Sequence, residues 1–186
     1  MIKSAAEIAE GLSNWDIDIV RHYLGPKCLS RLRKPDIQIY GSSDWPYLYR
    51  WWLHPYDRRM PNTYFHIQVQ DDPDRPLHDH PWDNVSVILA GGYEEWLDNR
   101  PMGEQPQKYV RNVGDMIPRR AEQAHRLLLA DGTPYSISLF HTASARRAWG
   151  FWVLLSTGPR WYPASELVRD QPDGRSMFVM PKDPNR

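Results

Sequence analysis

Residues Tyr64–Gln70 set Phe65, Ile67 and Val69 at alternate positions, with Tyr64, His66, Gln68 and Gln70 between them. A period of two marks an extended strand, whose successive side chains leave on opposite faces. Similar short stretches recur around 36–40, 47–53, 85–89, 93–97, 108–113, 116–118, 125–129, 135–141 and 149–155. Between them stand turn formers: Asp71-Asp72-Pro73-Asp74, Gly91-Gly92, Gly114-Asp115 and Asp131-Gly132. Many short strands with such punctuation predict a sandwich or barrel. Seventeen prolines leave little room for long helices.

Residues 4–24 are the helical exception. Ser4 and Glu7 form a capping-box pattern, and Ile8, Leu12, Trp15, Ile19 and Tyr23 make one apolar stripe. Ser13-Asn14 is a candidate break within it, and Gly25-Pro26 its end. A chain of 186 residues fits one domain. We expect a helical extension over 1–35, a β-body over 36–157 and a Pro-rich arm over 158–186 that lies on the surface or frays.

Twenty-three basic residues balance twenty-three acidic ones, which argues against electrostatically driven binding to nucleic acid or a membrane surface. The N-terminal MIKSAAEIAEGL has no apolar core, so no signal peptide is expected. No apolar run approaches the roughly 20 residues that span a bilayer. The single cysteine, Cys28, excludes an intramolecular disulfide and fits a reducing, cytoplasmic setting. The expected partner is a small molecule.

The chemistry concentrates in RPLHDHPWDNVSVILAGGY, residues 75–93. Strand parity puts His78 and His80 on one face, roughly 6–7 Å apart, so both imidazoles can converge on one ion. Further on, GDMIPRRAEQAHRLLL carries His125 into an apolar strand, a candidate third imidazole from a neighbouring strand. Arg75, on the loop entering the histidine segment, is placed to hold a substrate carboxylate or phosphate. Arg119, Arg120 and Arg126 read as solvated charges, and Arg126 is out of phase with His125. Asp71, Asp72 and Asp74 read as a solvated turn, because the glycine and glutamate of a calcium loop are missing.

These segments resemble the two motifs of the cupin superfamily, G-x5-H-x-H-x3,4-E-x6-G and G-x5-P-x-G-x2-H-x3-N. His78 and His80 match the paired histidines, Gly91 the closing glycine and His125 the histidine of the second motif. Gly114 and Pro118 echo the second motif's opening with altered spacing. The strings LHDHPWD, GGY and WGFW also look like those of small bacterial and phage cupins. The resemblance covers roughly residues 64–155. It implies an all-β jelly-roll barrel (a double-stranded β-helix) flanked by the N-terminal helical extension, a metal on His78, His80 and His125, and pairing into a homodimer.

Where four-ligand cupins place a glutamate, this chain has Asn84 and Val85, and Leu129 replaces the second motif's asparagine. The pattern is closest to three-histidine cupins such as the thiol dioxygenases. That likeness implies a mononuclear non-haem Fe(II) dioxygenase acting on a small anionic organic molecule, although Zn, Ni or Mn suit the same donors. The expected roles follow. Asn84, or Asp83 if Pro81 redirects it, orients bound water or dioxygen; His66, Trp82 and Tyr93 line the pocket; Arg75 holds substrate charge. The alternatives are a nucleotide-sugar epimerase- or isomerase-like cupin, with His66 and Asp83 as base pair and Tyr93 or Tyr109 as acid, or a non-catalytic ligand-binding cupin.

Overall fold

Two antiparallel six-stranded sheets face each other in the computed structural model, which describes residues 4–41, 44–57, 59–72, 76–98, 106–170 and 176–182. Numbered in chain order, the first sheet runs β1 (Ile37–Tyr40), β2 (Pro46–Trp52), β3 (Asn62–Gln68), β10 (Ser136–Thr142), β5 (Asn84–Ala90), β8 (Met116–Arg119). The second runs β12 (Gly158–Pro163), β11 (Gly150–Leu155), β4 (Leu77–His78), β9 (Ala124–Leu129), β6 (Tyr93–Asp98), β7 (Gln107–Arg111). From β3 to β6 and from β8 to β11 the chain changes sheet at every step, which is the winding of a jelly roll. The expected all-β barrel is therefore present.

The alternation in β3 serves two interiors. Phe65 and Ile67, with Val69 just beyond, face outward from the barrel into a core shared with the helices, while His66 and Gln68 face the barrel interior. The helices are α1 (Ala5–Gly11), α2 (Asn14–Leu24) and α3 (Cys28–Leu32). Ser4 caps α1 by accepting from Glu7 N, and Ser13 restarts the helix by accepting from Asp16 N. That restart shifts the phase of the apolar stripe: Val20 and Leu24 reach the centre, whereas Ile19 and Tyr23 pack at its margin. The side chain of Trp15 lies outside the described residues. The third helix was not expected. It is tied to β2 by the Trp51 indole donating to Arg31 O at 2.7 Å and Arg31 donating to Trp52 O at 3.0 Å.

Phe65 is fully buried where helices and sheet meet. Phe65→Ala should cost about 3–5 kcal/mol, read by urea unfolding, because the rigid sheet cannot collapse into the void.

Between β5 and β6, Gly91 adopts φ +70°, and a Cβ there would lie 2.2 Å from Tyr135 O. The glycine that closes the motif is thus required by both backbone conformation and contact. The segment after 157 departs from the expected loose arm. Gly158 (φ +109°) turns the chain back so that β12 pairs along all of β11. After it, Ala164 and Leu167 of α4 (Ala164–Leu167) bury against Phe151, Val153 and Leu155. Strands β13 (Val168–Asp170) and β14 (Ser176–Phe178) form a small hairpin beyond. No described helix is long and apolar enough to cross a membrane.

Candidate metal centre

The sheet order brings His78, His80 and His125 together. His78 sits in the two-residue strand β4, which lies between β9 and β11, and pairs directly with His125 on one side and Phe151 on the other. Directly opposed residues have Cβ atoms about 5 Å apart, so their side chains share one surface. The three ring centroids are 4.8–5.2 Å from one another. One nitrogen of each ring falls within 4.8 Å of the others.

Elements around the triad hold each ring. His125 Nδ1 lies 2.8 Å from Glu95 Oε1, and His78 Nδ1 lies 3.2 Å from Asp72 Oδ2. His80 has no such carboxylate among the described residues; its ring stacks on Trp82 at 4.9 Å. A carboxylate on Nδ1 sets the tautomer and turns the Nε2 lone pair to the other side of the ring. His80 Nε2 and His125 Nε2 stand 2.9 Å apart. Two nitrogens at about 2.1 Å from one ion and at right angles to each other would be about 3.0 Å apart, so the spacing suits adjacent positions of an octahedral ion. Burial holds His125 down at about 4, helped by the charges of Arg119 and His78 and opposed by Glu95. Burial also holds His80 well below its ordinary value, with His125 and His78 adding to the effect. Both rings are neutral at pH 7, the form that binds metal.

The triad opens on a cavity of about 390 Å³ between the sheets, within the usual range for small-molecule sites. Aromatic rings of Trp82, Phe140 and Phe151 wall it, and Arg50, His66 and Tyr93 supply polar edges. The Arg50 guanidinium packs over the Tyr64 ring at 4.6 Å and donates from Nε to His66 Nε2 at 2.8 Å. No carboxylate pairs with Arg50 among the described residues.

His66, Trp82 and Tyr93 stand in the cavity wall. His66, however, has its unprotonated nitrogen occupied by Arg50, and burial keeps the ring well below its ordinary value. It is a holder of Arg50 rather than a free base. Asp83 points outward: it is exposed, accepts from Ala121 N at 2.7 Å and pairs with Arg146 at 2.8 Å. Pro81 does not redirect it, because the chain enters β5 in ordinary alternation. Asn84 is buried but lines a separate recess, 3.4 Å from Arg119 Nη1. Arg75 lies outside the described residues.

Several residues gain roles that the sequence reading did not give them. Asp72 is 4% exposed and faces His78, not solvent. Arg119 is 3% exposed and its guanidinium joins Glu95, Ser86, Tyr93 and Asn84. Glu95 is fully buried, and its net shift is downward. Burial alone would raise it, but the hydrogen bond from His125 and the Arg119 charge prevail. A signal for Glu95 existed, since it shares the inward parity of Tyr93 on one strand. Asp79, between the two histidines, points to the opposite face and is 1% exposed.

No family model and no curated protein sequence matches the chain. Among solved structures, it superposes on hydroxypropylphosphonic acid epoxidase from S. wedmorenis at 15% identity and TM-score 0.43, over 61% of this chain and 66% of that one, just under two thirds of its length. A putative mannose-6-phosphate isomerase from Ralstonia eutropha JMP134 aligns at 18% identity and TM-score 0.44, over 57% of this chain and 92% of that one. The DMSP lyase DddQ from Ruegeria pomeroyi DSS-3 aligns at 14% identity and TM-score 0.53, over 81% of this chain and 78% of that one. Taken with the sheet-to-sheet winding and the histidine triad inside it, that last match shows that the chain has the cupin fold.

Proposed function

We propose that the chain is a mononuclear metal enzyme whose ion sits on His78, His80 and His125 and whose substrate is a small organic anion oxidised by dioxygen. The observation that carries this reading is the pairing of a three-imidazole triad with a cation, Arg50, that has no carboxylate partner among the described residues, in the wall of one cavity. Fe(II) on three neutral nitrogens would supply a redox-active Lewis acid with open positions toward the cavity. Arg50 is the anchor for a carboxylate or phosphate, in place of the expected Arg75. His66 fixes Arg50 through Nε and leaves both terminal nitrogens for a bidentate anion. Trp82, Phe140 and Phe151 exclude water around the bound molecule.

A non-redox reading, elimination or isomerisation, is favoured by Tyr93. Its hydroxyl, at the cavity wall, accepts from Arg119 Nη2 at 3.1 Å, and a phenol placed there is a candidate general acid for a reaction that needs no dioxygen.

Metal analysis of protein purified without added metal, followed by oxygen uptake with a panel of small carboxylates and thiols, tests these readings. Retained iron and uptake with an anionic substrate are expected. His78→Ala should lose the iron. Protein that neither retains nor takes up a transition metal would sink the metal reading, and full turnover without oxygen would select the non-redox one. Arg50→Met should raise KM for the anionic substrate roughly 10- to 150-fold, the worth of hydrogen bonds to a charged group. An unchanged KM would remove Arg50 as the anchor.

A further inference from the structure

We propose that Glu95 is the carboxylate of this metal centre, acting through His125 rather than on the ion itself; the inference rests on the three-histidine reading above. Asn84 stands where a fourth, anionic ligand would be sought, yet a buried carboxylate is present elsewhere. Glu95 Oε1 faces His125 Nδ1 at 2.8 Å and accepts from Arg119 Nε at 2.5 Å. Its Oε2 accepts from Arg111 Nε at 2.8 Å and Nη2 at 2.7 Å. With both oxygens occupied, the carboxylate cannot swing to the ion. It holds the Nδ1 proton of His125 and directs Nε2 into the cavity.

Arg119 keeps this arrangement apart from the four-ligand one. It is opposite Asn84 in the β5–β8 register, and its Nη1 reaches Asn84 Oδ1 at 3.4 Å and Ser86 Oγ at 2.8 Å. A carboxylate at position 84 would meet this guanidinium. The negative charge has therefore moved one residue outward, from the ion to the back of an imidazole. Glu95 is a positioning residue, with Arg119 and Arg111 as its clamps.

The test is titration of Co(II) into wild-type and variant proteins, followed by calorimetry and visible absorption, with nitrogen-15 NMR of His125 in the metal-free wild type. Glu95→Gln should weaken Co(II) binding about 10–100-fold, the usual effect of losing a partner behind a metal-bound histidine. Glu95→Asp keeps charge for the two arginines but shortens the reach to His125; it serves if the Gln variant fails to fold, and it should shift binding in the same direction. The NMR spectrum should show His125 protonated at Nδ1 and bare at Nε2, a property that a merely structural role for Glu95 would not impose. A folded variant that binds Co(II) as tightly as the wild type, or a His125 protonated at Nε2, overturns the proposal. A wild-type chain that takes up no Co(II) overturns the metal reading together with this one, so the two failures are distinguishable.

Discussion

Acidifying the metal-free protein from pH 7 to pH 4 is expected to remove about 3 kcal/mol of stability through His125 alone. In the unfolded chain this imidazole gains its proton near 6.5, whereas burial in the barrel delays protonation to about 4. Between those values the unfolded state holds a proton that the folded state refuses, so stability falls as pH falls. The contribution is intact above 6.5 and spent below 4. His66 and His80, both held low chiefly by burial, act in the same direction. Glu95 adds its own loss only in stronger acid, because its stabilisation disappears below the ordinary carboxylate range. Urea unfolding at a series of pH values reads this directly. A flat midpoint between pH 6.5 and 4.5 would show that the three imidazoles are not buried as described.

Replacing Asp79 with alanine should cost about 3–5 kcal/mol, although its side chain never faces the cavity. Its carboxylate accepts from Gly150 N at 2.7 Å and from the Trp161 indole at 2.8 Å, and it faces Arg147 Nη1 at 2.8 Å. Truncation leaves that guanidinium with only the His80 and Ala121 carbonyls, and the Gly150 N–H and the indole without their acceptor. For a chain of this size the melting temperature should fall by roughly 6–20 °C. The two-residue strand β4 depends on this clamp, because only Phe151 and Trp152 pair with it on the β11 side. Since Asp79 separates His78 from His80, Co(II) binding should weaken as well. Asp79→Asn, which keeps the shape and one of the two accepting oxygens, should fall between. Wild-type melting and wild-type Co(II) affinity in Asp79→Ala would refute the clamp.

Much of the site could be read from parity. His78 and His80 share a face because they are two apart, Asp83 falls outside for the same reason, and Tyr93 falls inside. The third imidazole was legible as a lone histidine entering an apolar strand. What parity cannot supply is which strands become neighbours. His125 meets His78 only because β4 inserts beside β9, and Glu95 reaches His125 from two positions before Leu97, the residue paired with it. Arg50 enters the cavity from a strand on the opposite sheet, far from any histidine motif. Asp72 looked like a turn residue because its burial comes from the strands around it, not from its neighbours in sequence. Buried charges are hard to see from sequence for this reason: the groups that stabilise them are remote along the chain.

The helical extension has a consequence for assembly. By covering Tyr49, Trp51, Phe65 and Ile67, the three helices occupy the outer face of the first sheet at its β2–β3 side. A barrel without that cover would present a broad aromatic wall to another barrel. Here each molecule already carries its own counterpart for that wall. Two copies could pair through that wall only after displacing the helices from it.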